Sequence, residues 1–257
     1  MKLPGDLKKF LRIIKTELPK TLGRVVFGIY IYGSISYGDF VESRSDVDLF
    51  VVLKRKLNEK EFIKLKKFFA RDDLKNGRWF KRLETDFAVL SELKFGAIIK
   101  TIHFSGGKLK KRADSGAYNP ITWINLRDCG ITLFGPQPKV FAPKVYDEIL
   151  FEALRGEFEF LKKHSVKWKK IDLWNQVYIV ATLCRIIFTF QKRKITSKKS
   201  ALQWCGKNLP VSFRPTATLA LKYLDNFSGP WNKKLDYGID KLMKYCNRLI
   251  CLKKSGS

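Results

Sequence analysis

Two short apolar runs, each bounded by turn residues, do most to restrict how this chain can fold. Arg24-Val-Val-Phe-Gly-Ile-Tyr-Ile-Tyr32 and Asp46-Val-Asp-Leu-Phe-Val-Val-Leu53 are dominated by β-branched and aromatic residues. Runs of this length and type are buried strands. A third, Leu83-Glu-Thr-Asp-Phe-Ala-Val-Leu90, has the same texture. Helical patterns lie around them. Phe10, Leu11, Ile14 and Leu18 keep helical spacing behind Asp6, a candidate cap, and Pro19 marks the predicted end. Asn58 and Glu61 have capping-box spacing ahead of Phe62, Leu65 and Phe69.

From about Ser105 to Asn119 the chain is rich in Gly, Lys and Ser and reads as a loop or linker. Beyond it the texture is mainly helical, as in Val177, Val180, Ala181, Cys184 and Phe188 and in Leu242, Cys246 and Ile250. The expected architecture is an N-terminal α/β (α+β) domain over 1–112 and an all-α helical-bundle domain over 113–257.

The acids occur where strands begin. Gly33-Ser34 closes the first apolar run, eleven residues follow, and Asp46-Val-Asp48 opens the second. Asp46 and Asp48 are two apart on a strand, so both face one side, with Cα atoms ~6.6–7 Å apart. That spacing suits carboxylates converging on one or two divalent cations, and Mg²⁺ combines a few carboxylates with phosphate oxygens and water. Gly33 allows close approach of the backbone to a phosphate, Ser34 offers a hydroxyl, and Gly38 permits the next turn. The third strand adds Glu84 and Asp86, again on one face. Either can bind metal or act as general base on a hydroxyl. Four carboxylates on two strands repel one another unless a cation lies between them.

Composition restricts the partners. Lys and Arg total 51 against 24 Asp and Glu, a formal net charge of +27 among 257 residues. Nucleotides, nucleic acid and acidic surfaces suit such a balance. The basic runs are spread along the chain, however, and each taken alone is an ordinary solvated surface. Cys129, Cys184, Cys205, Cys246 and Cys251 lack Cys-x-x-Cys spacing and are expected to be reduced, mostly buried thiols. The start has no apolar leader, and the greasiest stretch, Val177 to Phe190, is short for a membrane span and carries Arg185. A cytoplasmic monomer with no membrane partner is expected.

At Gly33-Ser34 and Asp46-x-Asp48 the chain resembles the DNA polymerase β-like nucleotidyltransferase superfamily. The resemblance implies a small mixed sheet flanked by helices, two Mg²⁺ ions and a nucleoside triphosphate donor. Further segments are similar to bacterial streptomycin/spectinomycin adenylyltransferases. These are Leu126 to Pro136, Thr182-Leu-Cys-Arg-Ile-Ile-Phe188, Lys194 to Lys198 and Ala201-Leu-Gln-Trp204. This second resemblance implies transfer of AMP from ATP to a hydroxyl of an aminoglycoside-type small molecule, hence antibiotic resistance. Asp46, Asp48 and Glu84 would hold metal. Gly33, Ser34, Ser45, Arg185 and Lys198 would hold the nucleotide. Glu84 aligns best with the family's base, and Asp86 stands as a second acid whose role is open.

Arg185 also reads, from its neighbours, as a cation interrupting an apolar helical face and so in need of an anion. Lys198 reads as lying near a helix start. Two positions depart from the pattern. Asn175 stands where the family has a drug-binding acid, with Asp172 three residues earlier, and the basic segment His103 to Lys110 lacks an expected tryptophan. The alternatives are the same chemistry on RNA, a phosphorylated metabolite or a protein, or a non-catalytic nucleotide- or RNA-binding regulator.

Overall fold

The computed structural model describes residues 3–93, 100–113, 118–224 and 231–252. The chain divides into two compact units, Met1–Val145 and Tyr146–Ser257.

The first unit is built on a six-stranded sheet. Its strands are β1 (Val26–Tyr32), β2 (Val47–Leu53), β3 (Leu83–Val89), β4 (Thr101–Ser105), β5 (Lys108–Ala113) and β6 (Ile131–Phe134), in the spatial order β5-β4-β3-β2-β1-β6. β2 and β3 run parallel and the other neighbours run antiparallel, so the sheet is mixed as expected. The helices of this unit are α1 (Gly5–Leu22), α2 (Gly33–Tyr37), α3 (Glu59–Phe69), α4 (Asp72–Lys75) and α5 (Pro120–Cys129).

Strand alternation sorts the side chains into two cores. Ile29, Ile31, Leu49, Val51, Leu53 and Phe87 pack on one face with Leu7, Phe10, Leu11, Ile14 and Leu18 of α1 and Leu65, Phe68 and Phe69 of α3. Tyr30, Phe50, Val52 and Ala88 pack on the other with Trp123 and Leu126 of α5. The capping box of α3 is present in full: the Asn58 side chain accepts from the Glu61 amide, and the Glu61 carboxylate accepts from the Asn58 amide.

Three sequence expectations change here. Pro19 lies inside α1, which continues to Leu22 and is closed by Gly23, whose N–H donates to the Pro19 carbonyl. A proline this close to the helix end removes only one bond from the last turns, and the buried stripe from Leu7 to Leu22 keeps the helix in place. The segment read as a loop from Ser105 is largely the β4–β5 hairpin. Gly106 and Gly107 turn it with φ of 57° and 77°, the positive pair a tight two-residue hairpin needs. The first unit also extends past 112, because α5 covers one face of the sheet and β6 pairs with β1. Asn119 caps α5 by accepting from the Ile121 amide, with Pro120 in the first turn.

The second unit is helical: α6 (Asp147–Trp168), α7 (Leu173–Lys192), α8 (Lys198–Asn208), α9 (Arg214–Leu224) and α10 (Lys233–Leu252). α7 is its centre, with Val177, Ile179, Val180, Ala181, Leu183, Cys184, Ile187 and Phe190 almost fully buried. At 20 residues it is long and apolar enough to cross a membrane, but 67% of its most apolar window is buried inside the unit. Gln176 is fully buried on α7, and its amide exchanges two hydrogen bonds with the backbone of Asn232. Burying that amide with both ends satisfied fixes the approach of α10 to α7. All five cysteines are free thiols, as expected, and Cys184, Cys205 and Cys246 are buried.

Candidate active site

The strand register brings the acids into line. Tyr32 lies opposite Asp48 across β1 and β2. Asp48 lies opposite Glu84 across β2 and β3. The Ser105 hydroxyl on β4 donates to Glu84 Oε1 at 3.3 Å. The next row on the same face is Tyr30, Phe50, Asp86 and His103. One end of the α5-covered face therefore carries a polar row, and the row beside it is aromatic on β1 and β2 and polar on β3 and β4. Asp46 stands just before β2 and is exposed, whereas Asp48 and Glu84 are half-buried.

Gly33 is the point where backbone and acid meet. It has φ of +68°, and a Cβ there would lie 2.0 Å from Asp48 Oδ2. Only glycine fits both the angle and the space. Its amide donates to Asn125 Oδ1 at 2.9 Å, and the Ser36 hydroxyl donates to the Gly33 carbonyl at 2.9 Å. The buried Ser34 Oγ and Asn125 Nδ2 have no hydrogen-bond partner among the described residues. Such groups are costly to bury unsatisfied, and here they flank the turn that faces Asp48. Ser45 is different. Its Oγ accepts from the Val41 amide at 2.8 Å, so it ties down the loop ahead of β2.

The two acids of β3 have different surroundings. Burial pushes the Glu84 carboxyl up from its ordinary value and the Asp46 charge adds to the rise, while His103 and the Ser105 bond pull it back. Asp86 is 3% exposed and engaged. It accepts from His103 Nδ1 at 2.7 Å and from the Tyr32 hydroxyl at 3.5 Å. The bond to Asp86 raises the His103 pKa against the opposing effect of burial. Burial, followed by the Asp86, Asp48 and Glu84 charges, holds the Tyr32 phenol well above its usual range, so it stays a neutral donor. Glu84 is thus the β3 acid that remains accessible for chemistry.

The donor set suits a hard divalent cation. Asp46, Asp48 and Glu84 offer only carboxylate oxygens, and the Gly33 cradle leaves no room for a side chain beside Asp48. Among the described residues no three acids, histidines or cysteines form a ready cage. Two carboxylates completed by phosphate oxygens and water is the usual pattern for Mg²⁺.

Arg185 and Lys198 lie in the second unit, near a shared neighbour. The Lys198 ammonium stands 5.1 Å from the centre of the Tyr178 ring. Arg185 acts on the Tyr178 phenol electrostatically and lowers its pKa, although burial and Glu157 raise it overall. Arg185 does not interrupt the buried face of α7, as its neighbours in sequence suggest. It falls on the half-exposed stripe with Tyr178 and Thr182 and needs no buried counter-ion. Ser197 caps α8, so Lys198 does open a helix. Asp172 is the N-cap of α7 and accepts from both the backbone and side-chain nitrogens of Asn175.

Sequence reading missed Asn125, Tyr32, His103 and Ser105. Only His103 had a signal: it is one of two histidines and opens a basic segment.

Residues 7–109 match the family model of the nucleotidyltransferase domain. Residues 140–248 match that of the aminoglycoside adenylyltransferase C-terminal domain. The structure superposes on that of the spectinomycin adenyltransferase AAD(9) from Enterococcus faecialis, determined with ATP and spectinomycin, with a TM-score of 0.72. The two share 18% sequence identity over 93% of this chain and 99% of that one. A search of curated proteins gives no match. The match to the nucleotidyltransferase domain makes the chain a nucleotidyltransferase, and the glycine turn and the acids of β2 and β3 lie within the matched residues. Among nucleotidyltransferases it resembles the aminoglycoside adenylyltransferases, whose C-terminal domain it carries.

Proposed function

We propose that the protein transfers AMP from ATP to a hydroxyl group of an acceptor. The observation that carries this reading is the Gly33–Asp48–Glu84 line: a backbone turn with an adjoining metal-type carboxylate and, one strand on, an acid of raised pKa. Asp46 and Asp48, with Glu84 at hand, would hold Mg²⁺. Gly33 and Ser34 would receive the phosphates, Ser45 would fix the loop that carries Asp46, and Arg185 and Lys198 would bind the triphosphate. When bound, Mg²⁺ neutralises the phosphate charge and polarises the α-phosphoryl group.

The acceptor oxygen attacks the α-phosphorus, a new O–P bond forms, and the bond to the bridging oxygen breaks to release pyrophosphate. Glu84 takes the hydroxyl proton. Asp86 supports this from behind, by fixing His103 and the Tyr32 hydroxyl. Positioning and electrostatic stabilisation account for most of the rate.

The acceptor is a small molecule in this reading. The family of the C-terminal domain and the spectinomycin bound to AAD(9) recommend an aminoglycoside-type drug, and the protein would act as a cytoplasmic monomer. A second reading, an anionic acceptor, is favoured by the basic face of the β4–β5 hairpin. The test is incubation with Mg²⁺ and ATP plus streptomycin, spectinomycin or other hydroxyl compounds, following pyrophosphate release and the mass of an AMP adduct. Absence of both Mg·ATP binding and turnover would remove the reading.

A further inference from the structure

The hairpin sets a second group of charges beside the carboxylates. Alternation along β5 sends Leu109 and Lys111 to the α3 face, where Leu109 packs on the core. Lys111 pairs there with Glu59, and its ammonium lies 5.4 Å from the Phe62 ring centre. Lys108, Lys110 and Arg112 face the opposite way. With His103, Ser105 and Gly106 they line a cleft of about 620 Å³, within the range typical of small-molecule sites.

All three cations are exposed, and among the described residues none of them is in an ion pair. Among the described residues no acid lines the cleft. The cleft also leads to the catalytic acids. Lys110 lies opposite His103, which bonds Asp86, and Lys108 lies opposite Ser105, which bonds Glu84. Two strand spacings separate Lys108 from Glu84, roughly 10 Å of backbone. A hydroxyl and a phosphate a few carbon atoms apart in one molecule span such a gap, given the reach of a lysine.

We propose that Lys108, Lys110 and Arg112 bind a phosphate ester carried by the acceptor, whose free hydroxyl is thereby presented to Glu84. This rests on the adenylyl-transfer reading and names its acceptor class. Arg112 supplies a planar fork for two phosphate oxygens, and the lysines supply point charges. A cationic drug is disfavoured by the same wall. The transfer step is unchanged: the acceptor oxygen bonds the α-phosphorus, pyrophosphate leaves, and Glu84 takes the proton.

The test uses the full chain saturated with Mg²⁺ and a non-hydrolysable ATP analogue. Glucose 6-phosphate, a ten-nucleotide oligoribonucleotide with a free 3′ hydroxyl, glucose and spectinomycin are titrated in turn. The expected result is saturable binding of a phosphorylated probe, weakened at least tenfold in the Lys108→Glu, Lys110→Glu, Arg112→Glu variant, with analogue affinity unchanged within twofold. Glucose does not bind. With ATP in place of the analogue, whichever phosphorylated probe gains an AMP adduct identifies the source, small molecule or RNA. Should the reversed variant fail to fold by circular dichroism, the corresponding triple glutamine variant is read instead.

Three results overturn the proposal: neither phosphorylated probe binds the loaded protein, binding survives the charge change, or spectinomycin is adenylylated with a KM that the variant leaves unaltered. Failure of the wild-type chain to bind the ATP analogue is a separate result, and it removes the underlying adenylyl-transfer reading.

Discussion

The two faces of the sheet differ within a single residue step. Leu49 points into the dry core formed with α1 and α3 and is 1% exposed. Its neighbour Asp48 points to the α5 side, against Gly33 and level with Glu84. On the first face the apolar layer covers the strands almost from end to end. On the second it stops after Phe50 and Ala88, and the next positions are acids. The stable face fixes the strand register, and the register aligns the acids. Because side chains alternate, a shift of one residue would carry every acid into the core, so burial of Leu49 and Val51 also enforces placement of Asp48.

Substitutions can break or sharpen that contrast. The largest effect is expected for Asp48→Asn, which should reduce turnover about 10³-fold and leave the thermal midpoint level or higher, as pyrophosphate release and a melting curve would show. Retained turnover would separate the acids from the chemistry. Glu84→Gln should lower kcat by about 10²-fold. Its pH behaviour follows from the raised pKa of Glu84. The native state holds this proton more tightly than the unfolded chain does. The associated stability is therefore full below the ordinary glutamate value of 4.5 and is lost as pH rises through the folded value. Metal-free Glu84→Gln should accordingly gain on the wild type in melting temperature as pH rises from about 4 to about 8.

The opposite face should respond in the opposite way. Leu49→Ala is expected to cost about 2–5 kcal/mol of stability, while the protein that remains folded keeps its KM and kcat; denaturant titration and steady-state kinetics check this. Asn58→Ala, at the cap of α3 and remote from the acids, should cost about 1 kcal/mol and leave turnover unchanged.

The sequence showed what burial dictates and hid what edges and long-range contacts dictate. β1, β2 and β3 were legible because they are central strands with continuous apolar runs, and the α3 capping box was legible from Asn58 and Glu61 alone. β5 was not. An edge strand has a solvent-facing side and is commonly protected by lysine, so Lys108, Lys110, Lys111 and Arg112 gave it the composition of a loop. Pro19 misled because a proline penalty near a helix end is small beside a buried stripe. Gly33, Asp46, Asp48 and the pair Glu84 and Asp86 stood out by spacing, and only the family resemblance favoured Glu84 over Asp86. Asn125 did not stand out, because nothing in the local sequence around an asparagine on α5 says that its carbonyl holds the Gly33 amide. Nor could spacing show that Asp86 is bound by His103, which follows only from the β3–β4 register.

The hydrogen bond from Gly33 to Asn125 joins residues 92 positions apart. β1, which ends at Tyr32, likewise waits for β6 before both its edges are paired. During synthesis the strands that carry Asp48 and Glu84 therefore leave the ribosome, and can pair, well before the partner of the Gly33 turn exists. Closing so long a loop comes late in folding. The nascent protein has its scaffold before the Gly33 turn is fixed, and that turn gains its partner only when α5 docks.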